Sequence, residues 1–252
     1  MTTGPGRVER YLTEQLRGGP IHFTLIDPEK SPGEAAATTA KAAVAHGTHA
    51  ILLGGSTGIS PGGMGRAASA VKAAVSVPVV IFPEGPASLA PEADAVLFMS
   101  LLNSRNLDLV IRAQSRSALA VQKMGLEPIP LAYLVVAPGM RVGEVGEADV
   151  IPRDEPATVA GYALAAEFLG MRFVYLEAGS GAPTPVPAAM VRAVRETVGI
   201  PVIVGGGIRS GRDAAPLLEA GANVLVTGSV TEEEGIAGGY RSVLEEVRRA
   251  RK

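Results

Sequence analysis

Eight short runs of apolar, mostly β-branched residues recur along this chain: "IHFTLID", "AILLGG", "VPVVIFP", "AVLFMS", "PIPLAYLVV", "RFVYLEA", "PVIVGGG" and "VLVTGS". Runs apolar on both faces suit strands buried on both sides, and parallel strands need long crossovers to join them. Alanine-rich stretches with helical periodicity supply most of those crossovers, around residues 33–46, 62–75, 104–124, 156–169, 186–198, 210–220 and 232–250. Gly47, Gly125, Gly170, Gly199 and Gly221 stand as helix stops. Eight strand–helix units without a break in composition predict a closed (β/α)8 barrel, a TIM-type fold, as one α/β domain over residues 1–252. An open doubly wound sheet is the alternative.

Two stretches depart from an ideal barrel. "EGPASLAPEAD", after the third strand, is too short and too proline-broken for a covering helix, so a reduced or missing third helix is expected there. A long apolar ligand could occupy that gap, with Phe98, Met99 and Tyr133 as candidate lining residues; simple loop variation is the competing reading. "APGMRVGEVGEADVIPRDEP", after the fifth strand, shows no helical periodicity over roughly twenty residues and suits a lid or a plain surface excursion.

Composition narrows the function. Aromatic residues make up 4% of the chain and tryptophan is absent, so the core is expected to be Val, Ile, Leu and Ala. A formal charge of −2, with no basic cluster beside aromatics, removes the electrostatic case for nucleic-acid binding. Without cysteine there can be no disulfide or thiolate metal site. "MTTGPGRVERYLTEQLRGG" reads as a short amphipathic helix and not a signal segment, and no apolar run approaches the ~20 residues of a membrane span. A cytoplasmic protein is expected.

In a barrel of this type the chemistry gathers where the strands end. The seventh strand runs into "GGGIRSGRDA" and the eighth into "TGS". Glycine lets backbone amides approach an oxyanion, and loops seven and eight are the usual phosphate site of the fold. The sixth ends "YLEAGSGA", where Tyr175 and Glu177 share one face and Gly179, Ser180 and Gly181 follow. Glu177 therefore sits beside the expected phosphate, able to orient a hydroxyl and take its proton; a buried salt bridge is the alternative. Asp27 in "LIDPEK", with Ser56 or Thr57 in "LLGGST", offers hard oxygen ligands for Mg²⁺ completed by substrate phosphates, although an Asp before Pro is also a common turn residue. His22, His46 and His49 form no metal site and read as structural.

In order, "LIDPEK", "LLGGST", "FMSLLNS", "YLEAGSGA", "VIVGGGIRSG" and "VTGS" closely resemble the geranylgeranylglyceryl phosphate synthase family, which includes the heptaprenylglyceryl phosphate synthases; the likeness covers nearly the whole chain. The resemblance implies a modified barrel with an N-terminal helix. It implies a Mg²⁺-dependent prenyltransferase that ether-links sn-glycerol 1-phosphate to geranylgeranyl diphosphate or another polyprenyl diphosphate in membrane ether-lipid synthesis. Asp27 and Ser56 match the family's metal positions. Tyr175, Leu176, Glu177, Ala178, Gly179, Ser180 and Gly181, Gly206 with Gly207, and Gly228 with Ser229 match its glycerol-phosphate segments. Many members carry lysine where this chain has Leu25. The resemblance also implies a homo-oligomer, dimer or hexamer, and brief proximity to the membrane for the lipid product. The alternatives are a phosphosugar isomerase or synthase on the same barrel and a non-catalytic phosphate-metabolite-binding barrel.

Overall fold

A strand sends successive side chains to opposite faces, so each apolar run can furnish both an inner and an outer core at once. The computed structural model, which describes residues 4–55, 60, 62–228 and 238–251, shows this arrangement. Strands β1 (Ile21–Ile26), β2 (Ala50–Leu53), β3 (Val79–Ile81), β4 (Ala95–Leu101), β5 (Glu127–Val135), β6 (Phe173–Glu177), β7 (Val202–Gly205) and β8 (Val224–Thr227) pair in chain order, all parallel. β8 pairs with β1, which closes the barrel and rules out the open sheet. Phe23, Leu52, Val80, Leu97, Leu131 and Phe173 fill the interior. Their neighbours Ile51, Leu53, Val96, Leu134, Leu176 and Val204 face outward into the helix layer.

Helix α1 (Arg7–Arg17) closes the N-terminal mouth, and its Val8 and Leu12 join the inner cluster. Its first amides are satisfied by a strand residue: the N–H groups of Val8 and Glu9 donate to Glu127 at 2.7 and 2.8 Å. Around the barrel follow α2 (Glu34–Ala45), α3 (Gly63–Ala74), α4 (Ala113–Met124), α5 (Met140–Val145), α6 (Pro156–Phe168), α7 (Ala188–Thr197), α8 (Gly211–Glu219) and α9 (Gly238–Ala250). A π turn at Asp108–Arg112 leads into α4. Among the described residues no helix is long and apolar enough to cross a membrane.

The third covering helix is reduced as expected: a single 3₁₀ turn, Pro86–Ser88, stands after β3. Three expectations need correction. The segment after β5 is not devoid of helix, since α5 lies within it, and it is tied into the rim. Asn103 donates to the carbonyls of Val135 and Asp149 at 2.9 and 2.8 Å, and Arg153 donates to those of Ala137 and Pro185. Gly199 is not a left-handed helix stop, because α7 ends one residue earlier in the extended backbone of Val198; Gly47, Gly125, Gly170 and Gly221 do have positive φ. Tyr133 faces the barrel interior and not the gap beside β4.

Candidate active site

The strands' parallel order puts every strand's C-terminal end on one rim, so Asp27, Glu177, Gly206 and Gly228 all lie at the same end of the molecule. A pocket there is lined by Leu25, Tyr175, Glu177, Ser180, Gly181, Gly206, Gly207, Ile208, Arg209, Val226, Thr227 and Gly228. It gathers most of the residues expected to hold glycerol phosphate. Gly179 stands beside it, while Leu176 and Ala178 are fully buried with their side chains in the outer core. The backbone of Ala178 is also spoken for, its N–H by the Gly205 carbonyl and its C=O by the Gly139 amide. Ser56, Thr57 and Ser229 lie outside the described residues.

Glu177 is the single carboxylate among the lining residues of that pocket. The Gly179 amide donates to its Oε1 at 2.6 Å and the Tyr133 hydroxyl to its Oε2 at 3.0 Å. Burial pushes its pKa above the ordinary carboxylate value, opposed by the Gly179 amide and the Tyr133 and Tyr175 hydroxyls, which favour the charged form. Burial and the nearby carboxylate in turn hold both tyrosines well above their usual range, so they remain protonated donors. The carboxyl is thus buried, held by donors on both oxygens, and has its proton affinity raised, which are properties a general base can use.

The glycine run after β7 has a sharper reason than loop flexibility. A Cβ on Gly205 would overlap the Tyr175 hydroxyl, and one on Gly206 would overlap Glu177. Gly207 lies against the backbone of Thr184 and Pro185, 2.6 Å from where its Cβ would be. Gly206 and Gly207 have φ of +82° and +72°, a region that favours glycine. Their N–H groups donate to no acceptor among the described residues, which leaves them for an oxyanion. The nearby start of α8 is already occupied: Asp213 accepts from the N–H groups of Arg209 and Ser210 at 3.0 and 2.9 Å. The cradle therefore rests on the glycine amides more than on a helix end.

Sequence reasoning passed over Arg209 and Phe82. Arg209 lines the pocket and donates to the carbonyls of Ala182 and Gly181 at 3.1 and 3.3 Å, joining the sixth and seventh loops. It stands in the quoted "GGGIRSG", and its charge beside an expected phosphate was the available signal. The Phe82 ring meets those of Tyr133 and Tyr175 edge-on at 5.7 and 5.8 Å.

Asp27 is buried at the rim of β1, and its Oδ1 accepts from the Glu29 amide at 3.0 Å, so it makes the turn contact and also presents a carboxylate. A Cβ on Gly55 would fall 2.6 Å from Oδ2 and 2.7 Å from Oδ1, so glycine is what lets the chain after β2 pass this close to the carboxylate. Among the described residues no group of three or more His, Asp or Glu side chains could hold a metal ion. One carboxylate at the rim nonetheless suits Mg²⁺, which is often bound by one or two carboxylates plus substrate phosphates.

An apolar groove runs along β4 between the 3₁₀ turn and α4, lined by Pro83, Pro86, Leu89, Phe98, Met99 and Leu109 among others. It includes Leu101, the last residue of β4, which pairs in register with Tyr133. The groove thus reaches the rim next to the side chain that holds Glu177.

The model for the PcrB family matches residues 11–248. The geranylgeranylglyceryl phosphate synthase of Pyrococcus furiosus is 47% identical over 244 residues, 97% of each chain, and that of Thermococcus gammatolerans is 46% identical over 242 residues, 96% of each. The solved (S)-3-O-geranylgeranylglyceryl phosphate synthase of Thermoplasma acidophilum, in complex with its substrate sn-glycerol-1-phosphate, superposes with a TM-score of 0.92 at 43% identity. That superposition covers 99% of this chain and 100% of the other. A match of this extent in sequence and in fold places the chain in the PcrB family.

Proposed function

We propose that this chain is a prenyltransferase that joins sn-glycerol 1-phosphate to geranylgeranyl diphosphate, or another polyprenyl diphosphate, through an ether bond. The observation that carries the reading is the meeting of two sites on one rim. A glycine-amide pocket with one dry carboxylate adjoins, through Tyr133 and Leu101, an apolar groove suited to an isoprenoid chain. The names of its relatives, and the glycerol phosphate bound in one of them, support both substrates.

The amides of Gly206 and Gly207 would hold the phosphate, with the Gly228 edge and Arg209 beside them. Glu177 would orient the C3 hydroxyl of the glycerol. As that oxygen bonds to the allylic C1 of the prenyl group, the C1–O bond to the diphosphate breaks and the hydroxyl proton passes to Glu177. The diphosphate leaves with the electron pair of that bond. Mg²⁺ bound at Asp27, with Ser56 by the family pattern, would supply Lewis-acid stabilisation of the leaving group. Asp27→Ala is expected to abolish activation by Mg²⁺; unchanged magnesium dependence would remove the assignment. Burying each methylene of the prenyl chain contributes about 0.8 kcal/mol, so the groove would dominate affinity for that substrate. On this reading the enzyme works in the cytoplasm, close to the membrane that receives a product with one long apolar chain and one phosphate; a homo-oligomer is part of the same reading.

The test is product mass analysis after incubation with Mg²⁺, geranylgeranyl diphosphate and either sn-glycerol 1-phosphate or its 3-phosphate enantiomer. The ether product is expected from the 1-phosphate. Binding of glycerol phosphate without an ether product would instead indicate a binding barrel, and conversion of a phosphosugar without prenyl diphosphate would indicate an isomerase.

A further inference from the structure

On the outward face of β1 lies a buried polar cluster that the chemistry above does not use, although one member, Thr227, also stands at the pocket wall. His22 and Thr24 project outward there and are fully buried, together with Thr48, Thr227 and Tyr240. The His22 ring bonds Thr48 Oγ1 through Nδ1 at 3.0 Å and Thr227 Oγ1 through Nε2 at 2.9 Å. Thr48 donates to the His22 carbonyl, Thr24 donates to Thr48 at 3.0 Å, and the Tyr240 hydroxyl lies 2.8 Å from Thr24. Tyr240 also packs edge-on against the His22 ring at 5.5 Å.

The donors can be arranged in one consistent way. Thr48 spends its proton on a carbonyl, so its oxygen accepts from Thr24 and from His22, which makes Nδ1 the protonated nitrogen. Nε2 is then an acceptor, and Thr227 must donate to it. The imidazole is held neutral, its pKa lowered to about 3 chiefly by burial, so this pattern persists at any physiological pH.

Thr227 is the last residue of β8, paired in register with Thr24, and the next residue is Gly228 of the anion pocket. Tyr240 stands in the first turn of α9. The network therefore grips the chain immediately before the pocket edge and again where α9 begins. We infer that His22 is a positioning residue: through its hydrogen bond from Thr227 it fixes the Gly228 edge of the pocket that receives the glycerol phosphate. This rests on the reading of that pocket given above. A merely structural network would alter stability and leave substrate affinity alone.

The experiment is calorimetric titration of sn-glycerol 1-phosphate and steady-state kinetics on the full chain, with Thr227→Val, Thr227→Ser and Val71→Ala. Thr227→Val keeps the shape and removes the donor. It is expected to weaken glycerol-phosphate binding about tenfold, the value of one well-made hydrogen bond. KM for glycerol phosphate should rise in parallel, while KM for the prenyl diphosphate, whose groove Thr227 does not line, should stay within about twofold. Thr227→Ser should restore affinity. Val71→Ala, a cavity under α3, should lower Tm without moving affinity. Thr227→Val binding within about twofold of the unmodified protein, a parallel rise in both KM values, or failure of Thr227→Ser to restore would overturn the inference. No binding by the unmodified protein would overturn the substrate reading, and this inference with it.

Discussion

Glu177 is surrounded by donors that want it charged and by a burial that does not, and burial wins. If it is the base, Glu177→Gln should lower kcat by about 10²–10⁴-fold while circular dichroism and Tm stay close to those of the parent; near-normal turnover would remove its role. The pH dependence follows from the sign of the shift. A carboxyl raised in the folded state works as a base only above its raised pKa, so activity should fall on acidification at a pH above the usual carboxylate value of about 4.3. The contribution of the same shift to stability runs the other way, present below the unfolded value and lost as pH rises through the folded one. Tyr133 favours the charged form, so Tyr133→Phe should move the acid limb of kcat/KM upward in pH; an unmoved or lowered limb would contradict the hydrogen bond's role. Glu177 was legible because an acid at the end of an apolar strand is costly without a purpose. Tyr133 was not, because the spacing of residues along a strand says which side chains share a face but not which face points inward.

At the scale of elements, the turn after β7 shows how much a short motif conceals. "GGG" reads as a phosphate cradle, yet two of its three glycines are required first by Tyr175 and Glu177, whose polar tips occupy the space a methyl group would need. Gly206→Ala combines that overlap with a left-handed φ. It should cost about 3 kcal/mol in urea unfolding and reduce kcat as Glu177 is displaced. A change below about 0.5 kcal/mol with full activity would mean that the overlap is relieved at no cost. The strands were readable as short apolar runs bounded by turn residues, and the long helices from their period. The six-residue α5 was missed because it is too short to display a period and its "GMRVGEVG" setting carries three glycines. The reduced third helix was readable for a plainer reason, the prolines in "EGPASLAPEAD".

For the whole molecule, barrel closure decides the function. Eight parallel strands oblige every strand end to share one rim, so an acid on β1, a carboxylate on β6 and glycine amides after β7 and β8 become neighbours despite lying up to two hundred residues apart. That juxtaposition followed from the strand count and order, whereas the groove's course along β4 depended on side-chain packing that periodicity does not specify. In the proposed reaction the glycerol hydroxyl itself attacks the prenyl carbon across this rim. Turnover of sn-glycerol 1-phosphate carrying ¹⁸O at C3, followed by mass analysis of both products, measures it directly. The label is expected in the ether oxygen, with unlabelled diphosphate; label in the diphosphate, or an ether formed without it, would rule this attack out.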